Sequence, residues 1–297
     1  MEHKPIAPAS RANPRRYPRP NDAKLTDEYN LGASRLHTAV WTRDPEEIAL
    51  AGPSLNKRGP EHAAGLYGKL PSNRDFLRRG LPNHFVLPWD DWLAHVLAAS
   101  KTLIGDGWLA AYLTSPPWRF ALDPGLFGEH GWLGVVASSF DALDRCFPLT
   151  LATSSHVAFA DFGRLFDCES WMVQTEALAV ALFDGRQSID ESLAHFKVLA
   201  SEVQNLGLGP QVPGGGPAGA ADAIWSQAQD LVEPESGAGR PLPQTHALSY
   251  WWHGDWPGHP AIALRCHGLP DIAASASFFD SGWFERGLVR PRRPEVP

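Results

Sequence analysis

Residues 65–76, GLYGKLPSNRDF, gather in twelve positions the side chains that chemistry draws on: Lys69, Ser72, Arg74 and Asp75, set among glycines. A phosphate loop is the first reading to test. It requires Gly-x-x-x-x-Gly-Lys-Ser/Thr, because a wide turn of backbone N–H groups must wrap the phosphates and a hydroxyl must hold magnesium. Here Gly65 and Gly68 stand three apart, Leu70 occupies the hydroxyl position and Pro71 removes a donor. The stretch fails as a nucleotide loop and suits a stiff corner. Gly68 lets backbones approach, Pro71 fixes the bend, and Asp75 can cap or pair with Arg74, Arg78 or Arg79.

Other groups invite a catalytic reading. His253, Asp255 and His259 in HGDWPGHP are metal-ligand types, yet the Gly and Pro around them equally suit a hairpin connection. Cys146 follows Arg145, and a positive neighbour lowers a thiol pKa. Phe147 and Leu149 place the same cysteine beside an apolar strand, where it serves as a small inert residue. A hydrolase built on Cys146 or on the His253/Asp255/His259 group is therefore the enzymatic alternative. Ser138 and Ser139 lack the Gly-x-Ser-x-Gly elbow. Asp90 and Asp91 diverge by about 100° on a helix, and reading Pro88 as a first-turn residue puts them where the helix dipole favours negative charge. Asp141 and Asp144 bracket Leu143 in a turn or a short helix before Cys146 and are expected to be solvated. No complete catalytic set emerges, and no cofactor or metal is expected.

The elements that must carry these residues follow from periodicity. GLYGKL reads as a strand ended by Pro71. Trp89, Trp92, Leu93, Val96 and Leu97 fall on one helical stripe. DGWLAAYLT reads as a second helix, and 118–122, 131–138 and 147–154 as strands. A helix is expected over 169–185, and Ser188 with Glu191 forms a capping box for the next. ADAIWSQAQDLV reads as a helical turn or two, 245–253 with 260–268 as a strand pair, and Asp271 as the start of a last helix. This pattern predicts an α+β or three-layer α/β domain, with a mainly antiparallel or mixed sheet flanked by helices.

Composition sets the frame. The chain has 297 residues, 43% of them hydrophobic, with twelve Trp suited to core or interface anchoring. Its net charge of −7 divides into +3 over residues 1–60 and −10 over 61–297, which argues against nucleic acid as partner of the folded part. Three separated cysteines do not make a disulfide framework. No apolar run reaches the roughly 18–20 residues of a bilayer span, and no secretory signal is read. A cytoplasmic protein is expected. Residues 1–60, rich in Pro and Arg, read as a largely disordered extension. Residues 61–290 read as one globular domain with a Gly/Pro-rich excursion at 206–244, and 291–297 as a frayed tail.

The blocks GLYGKLPSNRDFLRRGLPNHFVLPWDDWL, WLAAYLTSPPWRFAL and GVVASSFDALDRCFPLTLA, with SYWW and GLPDIAASASFFDSGWF further on, resemble in order the TagF family of type VI secretion system-associated proteins. The resemblance covers roughly residues 64–286. It implies a cytoplasmic, non-enzymatic protein that represses the secretion machine post-translationally by engaging its forkhead-associated scaffold protein. The implied fold is reminiscent of longin-type domains. This chain departs from the pattern at Arg74, where Gly is common, at Asp144, where Gly often precedes Arg145, and at Cys146, where an aromatic is frequent. The basic cluster Lys69, Arg74, Arg78 and Arg79 beside Asp75, with Trp118 and Arg119, is expected near the partner surface. The structural alternative is that Lys69 and Asp75 pair within the motif and that Trp118 is core. A structural subunit of the baseplate is a further reading.

Overall fold

Strands buried on both faces need a helical layer on each side, and the chain supplies both. The computed structural model describes residues 62–156, 168–206, 229–230 and 247–288. The leader at 1–60, the tail at 291–297 and nearly all of the excursion at 206–244 lie outside them.

The elements run β1 (Ala64–Gly68), β2 (Leu77–Arg79), α1 (Asn83–Ile104), α2 (Trp108–Thr114), β3 (Trp118–Leu122), β4 (Gly131–Ala137), β5 (Leu149–Ser155), α3 (Glu169–Phe183), α4 (Ile189–Leu206), β6 (Gln229–Asp230), β7 (Leu248–His253), β8 (Ile262–His267) and α5 (Ser277–Asp280). The strands join in one sheet of order β2-β1-β5-β4-β3-β7-β8-β6. Every neighbouring pair is antiparallel except β6 with β8, which is parallel. The mixed, mainly antiparallel sheet between helices matches the sequence reading.

Side-chain alternation divides the core in two. Phe120, Leu122, Trp132 and Trp251 face one layer, packed with Phe85, Trp89 and Trp92 of α1, Tyr112 of α2 and Phe278 of α5. Leu133, Val135, Leu149, Leu151 and Tyr250 face the other, against Trp171, Met172 and Leu178 of α3 and Phe196 and Leu199 of α4. Aromatic rings dominate the first layer: Trp89 lies parallel to Trp251 at 5.9 Å, and Phe85 meets Trp132 at 4.2 Å. Their polar atoms are placed too, Trp89 Nε1 donating to Thr150 Oγ1 at 2.9 Å and Trp92 Nε1 to the Pro270 carbonyl at 3.0 Å.

Several expectations change. Helix α1 begins at Asn83, so Pro88 lies inside it and not in its first turn, and the first turn holds no acidic residue. The apolar stripe extends back to Phe85 and Val86, and its burial outweighs the missing proline N–H; exposed His84, whose carbonyl loses that donor, faces water. Asp90 therefore does not serve the dipole; it accepts a hydrogen bond from the Tyr67 hydroxyl. Strand β2 was not anticipated. Gln229 and Asp230, read as helical, pair with Leu264 and Arg265 as strand. The last helix is broken: Asp271 caps only a 3₁₀ turn, its carboxylate accepting from Ala273 N at 2.7 Å, and α5 starts afresh at Ser277. The break turns Phe278 and Trp283 in against Trp118. The capping box holds, with Ser188 Oγ accepting from Glu191 N at 3.2 Å.

Candidate functional site

The glycine spacing of the 65–76 stretch marks where β1 is pinched. A Cβ on Gly65 would sit 1.9 Å from the Arg79 carbonyl oxygen of β2. A Cβ on Gly68 would sit 2.0 Å from that of Pro148, and Gly68 has φ +134°, a region L side chains rarely adopt. Leu70 to Asn73 then close a turn, Asn73 N donating to Leu70 O at 2.9 Å, with Pro71 in its second position.

Beyond Gly68, Lys69 turns inward. Its ammonium lies 2.9 Å from Asp141 Oδ2, with side-chain exposures of 8% and 0%, and 4.8 Å from the centre of the Phe76 ring. The Lys69 carbonyl accepts from Ser139 Oγ at 2.7 Å. Phe76 in turn packs on Tyr67 and Phe147. The partner of Lys69 is thus Asp141 and not Asp75.

Asp141 gathers the second loop around itself. Its Oδ1 accepts from the backbone of Leu143 at 2.9 Å and of Arg145 at 3.0 Å, and Oδ2 accepts from Arg145 Nε at 2.7 Å. The Arg145 guanidinium also donates to the Arg74 carbonyl, and Ala142 N donates to the Asn73 carbonyl at 2.8 Å. Two loops, 69–76 and 141–147, are therefore locked together through one carboxylate. Burial pushes the Asp141 carboxyl up, but the Lys69 ammonium and the N–H groups of Arg145 and Leu143 outweigh it and hold it below its ordinary value. Burial draws the Lys69 ammonium down despite Asp141. Asp144 sits at φ +59°, a left-handed conformation that glycine adopts without strain. The expectation that Asp141 is solvated was wrong; the signal missed was a carboxylate two residues before a chain reversal, placed to accept that loop's own N–H groups.

The seven residues expected at a partner surface do not form one patch. Arg74, Asp75, Arg78 and Arg79 are exposed, the last two on edge strand β2. Arg78 is oriented by donating from Nε and Nη2 to the Leu81 carbonyl at 3.1 and 3.0 Å. Leu143, 54% exposed, crowns the second loop. Lys69, Trp118 and Arg119 are buried. Strand β3, which carries the last two, lies three strands from β1, about 14 Å away. Trp118 donates from Nε1 to the Phe278 carbonyl at 3.0 Å. Arg119 points to the opposite face and forks onto Glu176 at 2.7 and 3.0 Å, with Nη1 on Glu169 at 2.8 Å. It pins α3 to the sheet.

The groups of the enzymatic alternative have other employment. Burial pushes the Cys146 thiol up to about 11, so at neutral pH it is protonated and a poor nucleophile. Asp255 accepts from Ala261 N at 3.1 Å within the β7–β8 connection. His259 shares a 2.6 Å hydrogen bond with Ser281. His253 packs edge-on to Trp118 at 4.5 Å, its Nδ1 2.7 Å from the Gly254 carbonyl, and burial lowers it to about 4. Each of the three is engaged in holding structure, and they do not converge. No described helix is long and apolar enough to cross a membrane.

Comparison with known proteins places this architecture. The family model for the TagF N-terminal domain, type VI secretion system-associated, matches residues 65–199, which contain both loops of the corner, β1 to β5, α3 and the first part of α4. The crystal structure of PA0076 from Pseudomonas aeruginosa PAO1 is similar at 32% identity, covering 79% of this chain and 100% of that one with a TM-score of 0.57. No match was found among curated proteins.

Proposed function

Since the chain belongs to the TagF family of type VI secretion system-associated proteins, a regulatory and not a catalytic group, we propose that it represses assembly of the secretion machine by binding the machine's forkhead-associated scaffold protein in the cytoplasm. One observation carries the reading: the segment shared with the family is the one whose polar groups are consumed in fixing a corner. Asp141 satisfies four donors at once, and what the corner leaves outward is charge, from Arg74, Arg78, Arg79 and Asp75. A preset surface loses little conformational entropy on association. Arginine forks also match carboxylate geometry, so the cluster suits an acidic patch on the scaffold. Lys69, Trp118 and Arg119 act from inside, by holding the two loops and the neighbouring helices in place.

The likeness to longin-type domains belongs to the same reading. It is supported by the order β2-β1-β5-β4-β3 of the first five strands, with α1 on one face and α3 and α4 on the other. The test is co-elution of the purified full chain with the purified scaffold on size exclusion at low salt. A shared peak supports the proposal; separate peaks at micromolar concentrations count against it.

A further inference from the structure

A leucine stands at the tip of the second loop of the corner, where local turn chemistry gives no reason for one. Residues 139–147 form a hairpin: Phe147 N donates to the Ser139 carbonyl at 3.0 Å, Phe140 bridges to Cys146, and Asp144 N donates to the Asp141 carbonyl at 2.9 Å. With Asp144 at φ +59°, this is the build of a three-residue hairpin loop, Ala142-Leu143-Asp144. Turn positions favour Gly, Asn, Asp and Ser, yet Leu143 holds the middle one with 54% of its surface in water. Leu87, Leu103, Val173 and Val198 are exposed as well, but they stand on helices. There the register of the buried stripe decides which positions face out, and a single exposed apolar residue is ordinary.

The tip is also held still. Leu143 N donates to Asp141 Oδ1 at 2.9 Å from within the loop, and Ala142 N donates across to the Asn73 carbonyl at 2.8 Å. Two residues on, the Arg145 guanidinium spends Nε on Asp141 and Nη2 on the Arg74 carbonyl. Its Nη1 has no partner among the described residues, and the side chain is 38% exposed. One hairpin therefore presents a fixed apolar knob and a fixed guanidinium, with Arg74 exposed on the loop it is tied to. We propose, on the reading that the chain binds a forkhead-associated scaffold, that Leu143 is the apolar anchor of that interface. It enters a small apolar pocket on the scaffold whose rim carries carboxylates that meet Arg145 and Arg74. Charge complementarity selects the occupant, because basic groups around the knob fit an acidic rim. Interfaces pair an apolar centre with a polar rim in this way, and a knob fixed before association gives up little conformational entropy.

The experiment is calorimetric titration of the purified scaffold with the purified full chain, as wild type, Leu143→Ser and Arg74→Glu/Arg79→Glu. Leu143→Ser should lower the affinity at least about tenfold, and its urea midpoint should stay at the wild-type value because the side chain is exposed. Its loss should be the same factor at low and at physiological salt, whereas the loss in the charge-reversed protein shrinks as salt rises. If the wild type binds and the charge reversal weakens it while Leu143→Ser binds as tightly as wild type, the anchor is overturned and the scaffold reading stands. A Leu143→Ser protein with a lowered urea midpoint overturns the anchor too, since the leucine would then serve the fold. No binding by the wild type overturns both.

Discussion

Replacing Asp141 by alanine removes the group on which both loops of the corner depend. The size of the effect follows from what each donor can do afterwards. The Lys69 side chain is only 8% exposed, so its ammonium is left largely buried without its carboxylate. Breaking a buried pair from one side costs about 3–5 kcal/mol. Arg145 is 38% exposed, can turn outward and adds little. The N–H groups of Leu143 and Arg145 lie in a surface loop, where water replaces most of their loss. Asp141→Ala should therefore lose about 3–5 kcal/mol, against a whole-domain stability on the order of 5–15 kcal/mol. Lys69→Met should lose less, because Asp141 keeps Arg145 and two backbone donors. Lys69→Met/Asp141→Leu should recover most of the loss, since an apolar pair of similar volume leaves no buried charge. Urea unfolding of the four proteins gives the comparison, read as midpoint shifts at constant slope. An Asp141→Ala protein within about 1 kcal/mol of wild type, or a double variant no more stable than the single, would show that the carboxylate does not hold the corner.

Gly68→Ala, which sets a Cβ against the Pro148 carbonyl at φ +134°, should cost about 2 kcal/mol or more in the same assay; a neutral result would mean that β1 is not pinched there. His253 gives a pH signature. Its folded value of about 4 lies below the ordinary 6.5, so the unfolded chain binds the extra proton first. Stability should be whole above 6.5, fall between 6.5 and about 4, and level off below, by up to roughly 3 kcal/mol. His259, also lowered by burial, adds in the same direction, and His253→Phe should flatten the profile in chemical denaturation across that range. The Cys146 thiol, at about 11, should react with iodoacetamide at mildly alkaline pH on the order of a hundredfold more slowly than free cysteine, as followed by mass spectrometry of the peptide; reaction at the free rate would reopen a nucleophilic role.

Periodicity made the frame legible where burial and local preference agree. The stripe from Trp89 to Leu97, the capping box at Ser188 and the buried runs of β3, β4 and β5 each carry their own signal. It failed where tertiary packing decided. Three residues of β2, Leu-Arg-Arg, form a strand only because β1 offers an edge, and the last helix breaks to seat Phe278 beside Trp118. At the corner, the residue types of the motif pointed to a bend, and the bend is there. Its central carboxylate lies about seventy positions downstream of the motif, and an aspartate that accepts four donors reads in one dimension like any turn residue. Trp118 and Arg119, adjacent in sequence, illustrate the same limit: one belongs to each face of the sheet.

The measurement closest to the heart of the matter is the affinity of the purified full chain for the forkhead-associated scaffold proposed as its partner, by titration calorimetry, for wild type and for Arg74→Glu/Arg79→Glu. Both side chains are exposed, so the variant should unfold like the wild type. If the corner presents the partner surface, binding is direct, weakens with salt, and falls by at least about tenfold on charge reversal. Binding of equal strength in the variant, or none by the wild type, would contradict it.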